Sequence, residues 1–368
     1  MQEKTVEPVG KKQKKGTFRK ALLFVVIFLV LIIGAVFAFV WHKLDLIRYE
    51  NELPSTAELT SEPEAGDDFA ADEEIVDISG LEAVTELPEI PDAEIFGESD
   101  VLNILVIGTD ERADHFDDNA RSDCMILVSI HKGDKTVKLV SLERGMGVPI
   151  LEGGYAGQYD WLTHVFRYGG AELLRKTVEY CFKVEVPYYV RLIFDSVEGI
   201  VDTVGGVDIE LTALEAAGLN GQVYTNAETR AEVHEGLNHL DGYDALQYCR
   251  LRYIDSDWKR VERQRKVIFA VVEAARGFGL AEYNDLADTV LPMVRTNMKK
   301  LEIAELILYV PSFLRSEFDQ MTLPKAGTYG SMTVMGGRHA FAPDFEINSD
   351  LLRRFLYEGA DAKDLLAE

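Results

Sequence analysis

Cysteine is scarce in this chain: Cys124, Cys181 and Cys249 are the three among 368 residues, with no C-x-x-C spacing. An odd count without that spacing argues against a disulfide framework and against a structural zinc site, and leaves small buried apolar side chains as the expected role. Several catalytic signatures are missing too. No G-x-x-x-x-G-K-[ST], G-x-G-x-x-G, H-E-x-x-H or G-x-S-x-G occurs, so P-loop, dinucleotide, zincin and nucleophile-elbow chemistries lack their usual marks. The seven histidines are scattered, and His164 in WLTHVFRYGG reads as a packed or surface side chain. Residues 49–100 contain eighteen Asp or Glu and no Lys or Arg. With a formal net charge of −25, the chain is a poor match for nucleic acid, whose binding surfaces are basic.

What is present divides the chain clearly. Residues 1–20 hold seven Lys or Arg against two Glu, and ALLFVVIFLVLIIGAVFAFVW (21–41) follows without a charge. Twenty-one apolar residues suffice to cross a bilayer core as a helix, and the preceding cluster of basic residues keeps that side in the cytoplasm. A cleaved signal peptide would have a shorter apolar region and an A-x-A-like site, whereas His42-Lys43 follows here. The expected organisation is a cytoplasmic tail (1–20), a transmembrane helix (21–41), an acidic extracellular spacer (42–100) and an extracellular domain (101–368). The spacer is too acidic and too poor in apolar periodicity to bury much surface, although part of 79–97 could pack on the domain edge.

The domain pattern alternates strands and helices. VLNILVIG (101–108) reads as a buried strand, and CMILVSI and TVKLVSL joined by HKGDK read as a hairpin. GGAELLRKTVEYCF reads as a helix, PYYVRLIF as a strand, FDSVEGIVDTV as a helix and GGVDIEL as a strand. Residues 236–248, 258–277 and 299–316 read as helices. The prediction is an α/β fold, an α/β/α sandwich with a mixed central sheet preceded by one transmembrane helix.

Two kinds of side chain could carry chemistry. Asp110, in GTDER, follows the first strand, and Asp123, in ARSDC, precedes the second. Two carboxylates at strand ends could hold Mg2+ with water and phosphate oxygens, or each could simply cap its own turn. The second kind is arginine: CRLRYIDSDWKRVERQRK (249–266) gathers seven basic residues in an acidic protein. On a helix, Arg260, Gln264, Val267, Val271 and Ala274 share one face, so Arg260 and Gln264 extend an apolar stripe inward. Glu262, Lys266 and Glu273 fall opposite, Arg263 flanks the inner face, and Arg265 and Phe269 lie further out. A buried guanidinium needs an anion, which could be an internal carboxylate or a ligand phosphate. Arg250 and Arg252 share a face of an extended segment and could join Arg260, with Arg112, Arg121 and Arg144 nearby.

These segments, in order, resemble the LytR-CpsA-Psr family of cell-wall phosphotransferases. NILVIGTDER and ARSDCMILVSI resemble its G-x-D-x-R and R-S-D-T blocks, and VKLVSLERGMGVPI the block that usually ends in Pro-Arg-Asp-Thr. LTHVFRYGG, GIVDTVGGVDIEL, GLNHLDGYDALQYCRLR and DSDWKRVERQRKVI match later blocks, so the resemblance spans about 101–279. It implies transfer of a glycan phosphate from a polyprenyl-pyrophosphate-linked polymer to a peptidoglycan sugar hydroxyl, outside a Gram-positive cell membrane. It further implies Asp110 and Asp123 as magnesium ligands and Asp123, Arg144, Arg250 and Arg252 as catalytic groups. Arg112, Arg121, Arg260, Arg263 and Gln264 would hold the pyrophosphate, and the lipid tail would lie between sheet and helices. The chain departs from the family pattern at Glu143 and Gly145, where Pro and Asp are usual, at Trp161, where Lys is frequent, and at Cys124, usually Thr. A non-catalytic receptor for lipid-linked glycans, or a hydrolase, would use many of the same residues. The Asp pair separates the receptor, which has no need of magnesium.

Overall fold

The computed structural model describes residues 38–50, 76, 78–109, 121–193, 196–255, 257–307, 309–310 and 318–366. The expected cytoplasmic tail (1–20) and most of the expected membrane span (21–37) lie outside the described residues, as do Asp110 and Arg112. Residues through Leu46 form one compact unit, in which 38–44 are helical, and Ile47–Glu368 form another. No described helix is long and apolar enough to cross a membrane.

The second unit is built on a seven-stranded mixed sheet. Its central hairpins use β2 (Val101–Thr109), β3 (Ser122–His131) and β4 (Val137–Leu142), antiparallel in sequence order. β7 (Tyr188–Ile193) runs parallel to β2, β10 (Val294–Thr296) antiparallel to β7, and β11 (Phe318–Leu323) parallel to β4. Parallel neighbours need crossover connections, and α1 (Leu162–Phe182) supplies the one that leads to β7. Within β2, Leu105 and Ile107 join the cluster containing Phe166, Leu174, Phe182 and Phe355, whereas Ile104 on the other face meets Met298. Both faces are therefore covered, which explains why the strands read as continuous apolar runs. Phe355 belongs to α8 (Phe345–Tyr357), which lies with α1 on one face.

A smaller layer holds the arginine-rich segment. It contains β8 (Val207–Leu211) paired with β9 (Gly236–Leu240), and helices α2 (Ser196–Thr203), α3 (Ala213–Leu219), α4 (Gly242–Arg250) and α5 (Asp257–Ala275). Residues 236–248 thus divide where one helix was expected. GLNHL buries alternate residues as a strand, and Asp241 then caps α4 by accepting from the Asp244 N–H at 2.9 Å. Helix α1 is also broken, because Gly169 and Gly170 leave helical geometry and Gly170 has φ +65°. The helix expected over 299–316 is observed as Lys300–Ile307, and residues 308 and 311–317 lie outside the described residues.

Residues on the N-terminal side of the expected boundary at 101 also pack on the domain, as expected for part of 79–97. β1 (Arg48–Tyr49) joins the sheet edge beside β10, and residues 78–100 run along the domain. Val84 N–H donates to Ser331 O at 2.9 Å, and Phe96 N–H to Lys183 O at 2.8 Å. Ile90 packs against the main core. Acidic composition does not prevent this, because the bonds to the edge come from backbone groups and not from side chains.

Candidate active site

The β3–β4 hairpin brings the first pair together. Asp123 is the second residue of β3 and Arg144 follows the end of β4, so the antiparallel register sets them side by side although they are 21 apart in sequence. Arg144, buried, donates through Nη1 to Asp123 Oδ1, and Arg252 Nη2 lies 3.7 Å from Asp123 Oδ2. The start of α1 closes one side: Thr163 N–H donates to Arg144 O at 3.1 Å, and Thr163 Oγ1 to Ser122 O at 3.0 Å.

The smaller layer supplies the rest. Asp123, Asn226, Cys249, Arg250, Arg252, Arg260 and Gln264 line one cavity of about 160 Å³. At ~30 Å³ per water it has room for roughly five waters, the scale of a phosphate or pyrophosphate group. Three guanidinium groups and one carboxylate line it, so the cavity favours an anion. Arg250 is exposed at the end of α4, while Arg260 and Gln264 are buried on α5. Gln264 Oε1 is buried without a hydrogen-bond partner among the described residues, an acceptor held ready beside the cavity.

The cavity brings together five residues expected from the sequence: Asp123, Arg250, Arg252, Arg260 and Gln264. Arg144 reaches the cavity through Asp123, and Arg121 sits at the head of β3, where its charge acts on Arg167. Arg263 is different. It does not line the cavity; it binds Asp255 through two bonds of 2.7 and 2.9 Å, donates to Leu251 O at 2.8 Å, and lies 3.5 Å from Glu215. In these contacts it clamps the loop between α4 and α5. Helix α5 is wedged between two layers, which explains this. Val267, Ala270 and Val271 pack toward β8 and α4, while Phe269, expected further out, packs on the sheet near Phe318. Arg265 is half-buried and donates to Thr322 Oγ1 at 3.1 Å.

Asn226 had no signal in the sequence, since it sits in a loop without periodicity. Its amide accepts from Arg252 N–H and donates to Arg250 O, both at 2.9 Å, and so fixes the exit from α4, where Arg250 ends the helix and Arg252 follows it instead of the two sharing an extended segment as expected. A second polar cluster lies at the head of α1. Asp160, fully buried, accepts from Tyr168 at 2.6 Å, from Arg338 at 2.8 Å, from the Trp161 N–H at 2.8 Å, and bonds His164 at 3.1 Å. Burial alone would raise the Asp160 carboxyl, but the His164, Tyr168 and Arg338 contacts outweigh it and hold it at about 2. Burial drives His164 below its ordinary value despite Asp160. The i, i+4 spacing of Asp160 and His164 was the sequence signal for this pair. Trp161, where the family often has Lys, stacks on His164 and donates from its indole to His339 O at 2.7 Å.

The other departures also have structural counterparts. Gly145 lies beneath Val76, whose Cγ2 would meet an added Cβ at 2.7 Å, so the space of a side chain is already filled. Burial pushes the Cys124 thiol up to about 12 and raises Cys249, which leaves both as neutral packing groups.

Magnesium takes oxygen ligands, typically one or two carboxylates with water and phosphate oxygens. The Asp123 carboxylate and the open Gln264 Oε1 on one small cavity are donors of that kind. Among the described residues no group of three or more His, Cys, Asp or Glu could hold a metal by itself, so phosphate and water would have to complete the shell.

Comparison with known proteins places this geometry. A profile described as the LytR_cpsA_psr family matches residues 74–346, beginning inside the stretch expected as spacer. Polyisoprenyl-teichoic acid–peptidoglycan teichoic acid transferase TagT of Bacillus subtilis (strain 168) is 30% identical over 226 residues, 61% of this chain and 68% of its own. The transferase TagU of Bacillus cereus is 30% identical over 207 residues, 55% of this chain and 62% of its own, so the chain spans less than two thirds of that relative. A solved structure described as TagT bound to LIIa-WTA superposes with a TM-score of 0.56 at 25% identity, covering 74% of this chain and 96% of that one. With the family profile covering most of the chain, this protein belongs to the LytR-CpsA-Psr family.

Proposed function

We propose that the protein transfers a glycan phosphate from a polyprenyl-pyrophosphate-linked glycopolymer to a sugar hydroxyl of peptidoglycan, releasing polyprenyl phosphate. The observation that carries this reading is the single small cavity lined by Asp123, Arg250, Arg252, Arg260 and Gln264. The names of the relatives, teichoic acid transferases, support the same class of reaction.

In the proposed step the acceptor hydroxyl oxygen bonds to the phosphorus that bears the glycan. The bond from that phosphorus to the bridging oxygen breaks, the polyprenyl phosphate leaves with the electron pair, and the hydroxyl proton is lost. Arg250, Arg252 and Arg260 would grip the pyrophosphate oxygens and neutralise charge that grows on the leaving group. Arg144 orients Asp123 through the bond between them. Gln264 Oε1 would accept from a water or hydroxyl at the cavity wall. A bound magnesium ion, held by Asp123 and by Asp110, would add Lewis-acid neutralisation of the same oxygens. Arg112 and Arg121 would assist in holding the phosphate oxygens. Residues 21–41 are proposed to anchor the chain in the cell membrane, with the domain outside, where a lipid-linked donor resides.

The test uses the full chain in detergent with a polyprenyl-pyrophosphate glycan and peptidoglycan fragments, with and without magnesium. Released polyprenyl phosphate and glycan-bearing product, abolished by Asp123→Ala and by Arg250→Ala, are the expected result. Tight donor binding with no release, equal in the parent and in Asp123→Ala, would replace the transferase with a lipid-glycan receptor. Release without glycan-bearing product would replace it with a hydrolase.

A further inference from the structure

Two tyrosines stand in solvent on the two segments that carry Asn226 and Arg252 to the arginine cavity. Tyr224 is 81% exposed and Tyr253 62% exposed, and their rings meet at 5.5 Å with a 40° tilt. They come from segments 29 residues apart in sequence. Large aromatic side chains normally bury their faces, so a paired and exposed set needs an explanation.

The backbone around both rings is held in place. Asn226 bonds the backbone of Arg250 and of Arg252, so the Tyr224 loop is tied to the segment that ends in Tyr253. Thr225 fixes the loop from beneath, donating to Ala227 O at 2.7 Å and to Gly218 O at 3.3 Å. Tyr253 has φ +70°, an uncommon region for a bulky side chain. The fold therefore maintains a costly backbone conformation and presents the ring outward. Asn226 and Arg252, each within two residues of one of these tyrosines, line the cavity itself. The platform is therefore carried by the same two segments that supply these cavity-lining residues.

We infer that Tyr224 and Tyr253 form a sugar-binding subsite that stacks a pyranose ring adjacent to the phosphate bound in the cavity. This inference rests on the proposed transferase reading and adds the place where a glycan is gripped. The ligand class follows from the chemistry. A pyranose ring has an apolar C–H face that suits an aromatic face, and polar edges that remain in water. A prenyl chain would need a deeper apolar groove than two exposed rings offer. The sugar could be the first residue of the donor or the acceptor residue of peptidoglycan, and the test separates them.

The full chain would be titrated with three probes: a prenyl pyrophosphate without sugar, the same pyrophosphate bearing one N-acetylhexosamine, and a soluble peptidoglycan disaccharide. Tyr224→Ala and Tyr253→Asn, the latter compatible with positive φ, are compared with Tyr224→Phe and Tyr253→Phe. The expected result is about tenfold weaker binding of a sugar-bearing probe in the Ala and Asn variants, since covering the ring removes apolar area from water. The Phe variants should bind as the parent does, and the sugarless probe should be unaffected throughout. A loss on the hexosamine pyrophosphate assigns the donor sugar, and a loss on the disaccharide assigns the acceptor. Unchanged binding of both sugar probes, or an equal loss on the sugarless one, overturns the inference. If the parent binds the disaccharide through these tyrosines but neither pyrophosphate, the sugar subsite stands and the transferase reading fails.

Discussion

Arg260 and Arg263 lie one turn apart on the same helix, both almost fully buried, and they face opposite fates. Arg260 lines the cavity with Arg250, Arg252 and Asp123. Arg263 is answered inside the protein by Asp255, Glu215 and the Leu251 carbonyl. The two readings that the arginine run left open, internal ion pairs or a ligand pocket, thus meet within one helical turn: Arg263 makes ion pairs, and Arg260 lines the cavity proposed for a ligand. What separates them is not the arginine but the neighbouring loop. Burying a guanidinium demands an anion, and at Arg263 the surrounding structure provides Asp255 and Glu215.

The largest expected effect tests the internal side of that contrast. Arg263→Ala leaves Glu215 buried without its cation, so unfolding should become easier by roughly 3–5 kcal/mol. A urea titration checks this, and a change within experimental error would remove the distinction between the two arginines. On the cavity side, Arg250→Ala should alter stability by about 0.5 kcal/mol at most, since the residue is exposed, while lowering transfer on the order of 100-fold or more. Initial rates of polyprenyl phosphate release measure that, and a rate near that of the parent would move the reacting group elsewhere. Smaller still is Gly145→Asp, which restores the family residue but meets Val76 at 2.7 Å. It should cost about 1–3 kcal/mol by overpacking, and Val76→Ala should recover most of it in the same melts.

The smallest effect concerns the Asp160–His164 pair, another internally satisfied cluster. The imidazole is held below its ordinary 6.5, so the unfolded chain takes up the proton first. Stability from this group is present above pH 6.5 and falls as pH drops below it, by at most ~1.4 kcal/mol per unit. Asp160, held at about 2, keeps its own contribution down to the ordinary carboxylate value of 3.8 and loses it between there and 2. Melting curves between pH 6.5 and 4.5 should therefore slope, and His164→Asn should flatten them. An unchanged slope in that variant would assign the effect to another group.

Much of this was legible before any coordinates. The strands of the central hairpin and the inward face carrying Arg260 and Gln264 followed from period and spacing, whereas the joining of Asp123 with the arginine segments was implied by the family resemblance. The misreadings have a common cause. Residues 236–240 look helical by composition yet pair with β8, whereas the packing of part of 79–97 on the domain edge was expected. For Arg263, helical period told which side the residue faces but not that Asp255 and Glu215 wait there. Asn226 and the Tyr224–Tyr253 pair were invisible, since their positions arise from contacts between loops distant in sequence.

By itself the sequence determined that the chain is an α/β protein with a basic head, an apolar run, an acidic stretch and a concentration of arginines that calls for anions. Local periodicity and uncompensated charge are properties of short segments and need no partner to be read. Only the tertiary structure decided which carboxylates the protein sets beside which guanidinium groups. Ion pairing acts over a few ångströms, and at that range the neighbours of a side chain are chosen by the folding of the whole domain.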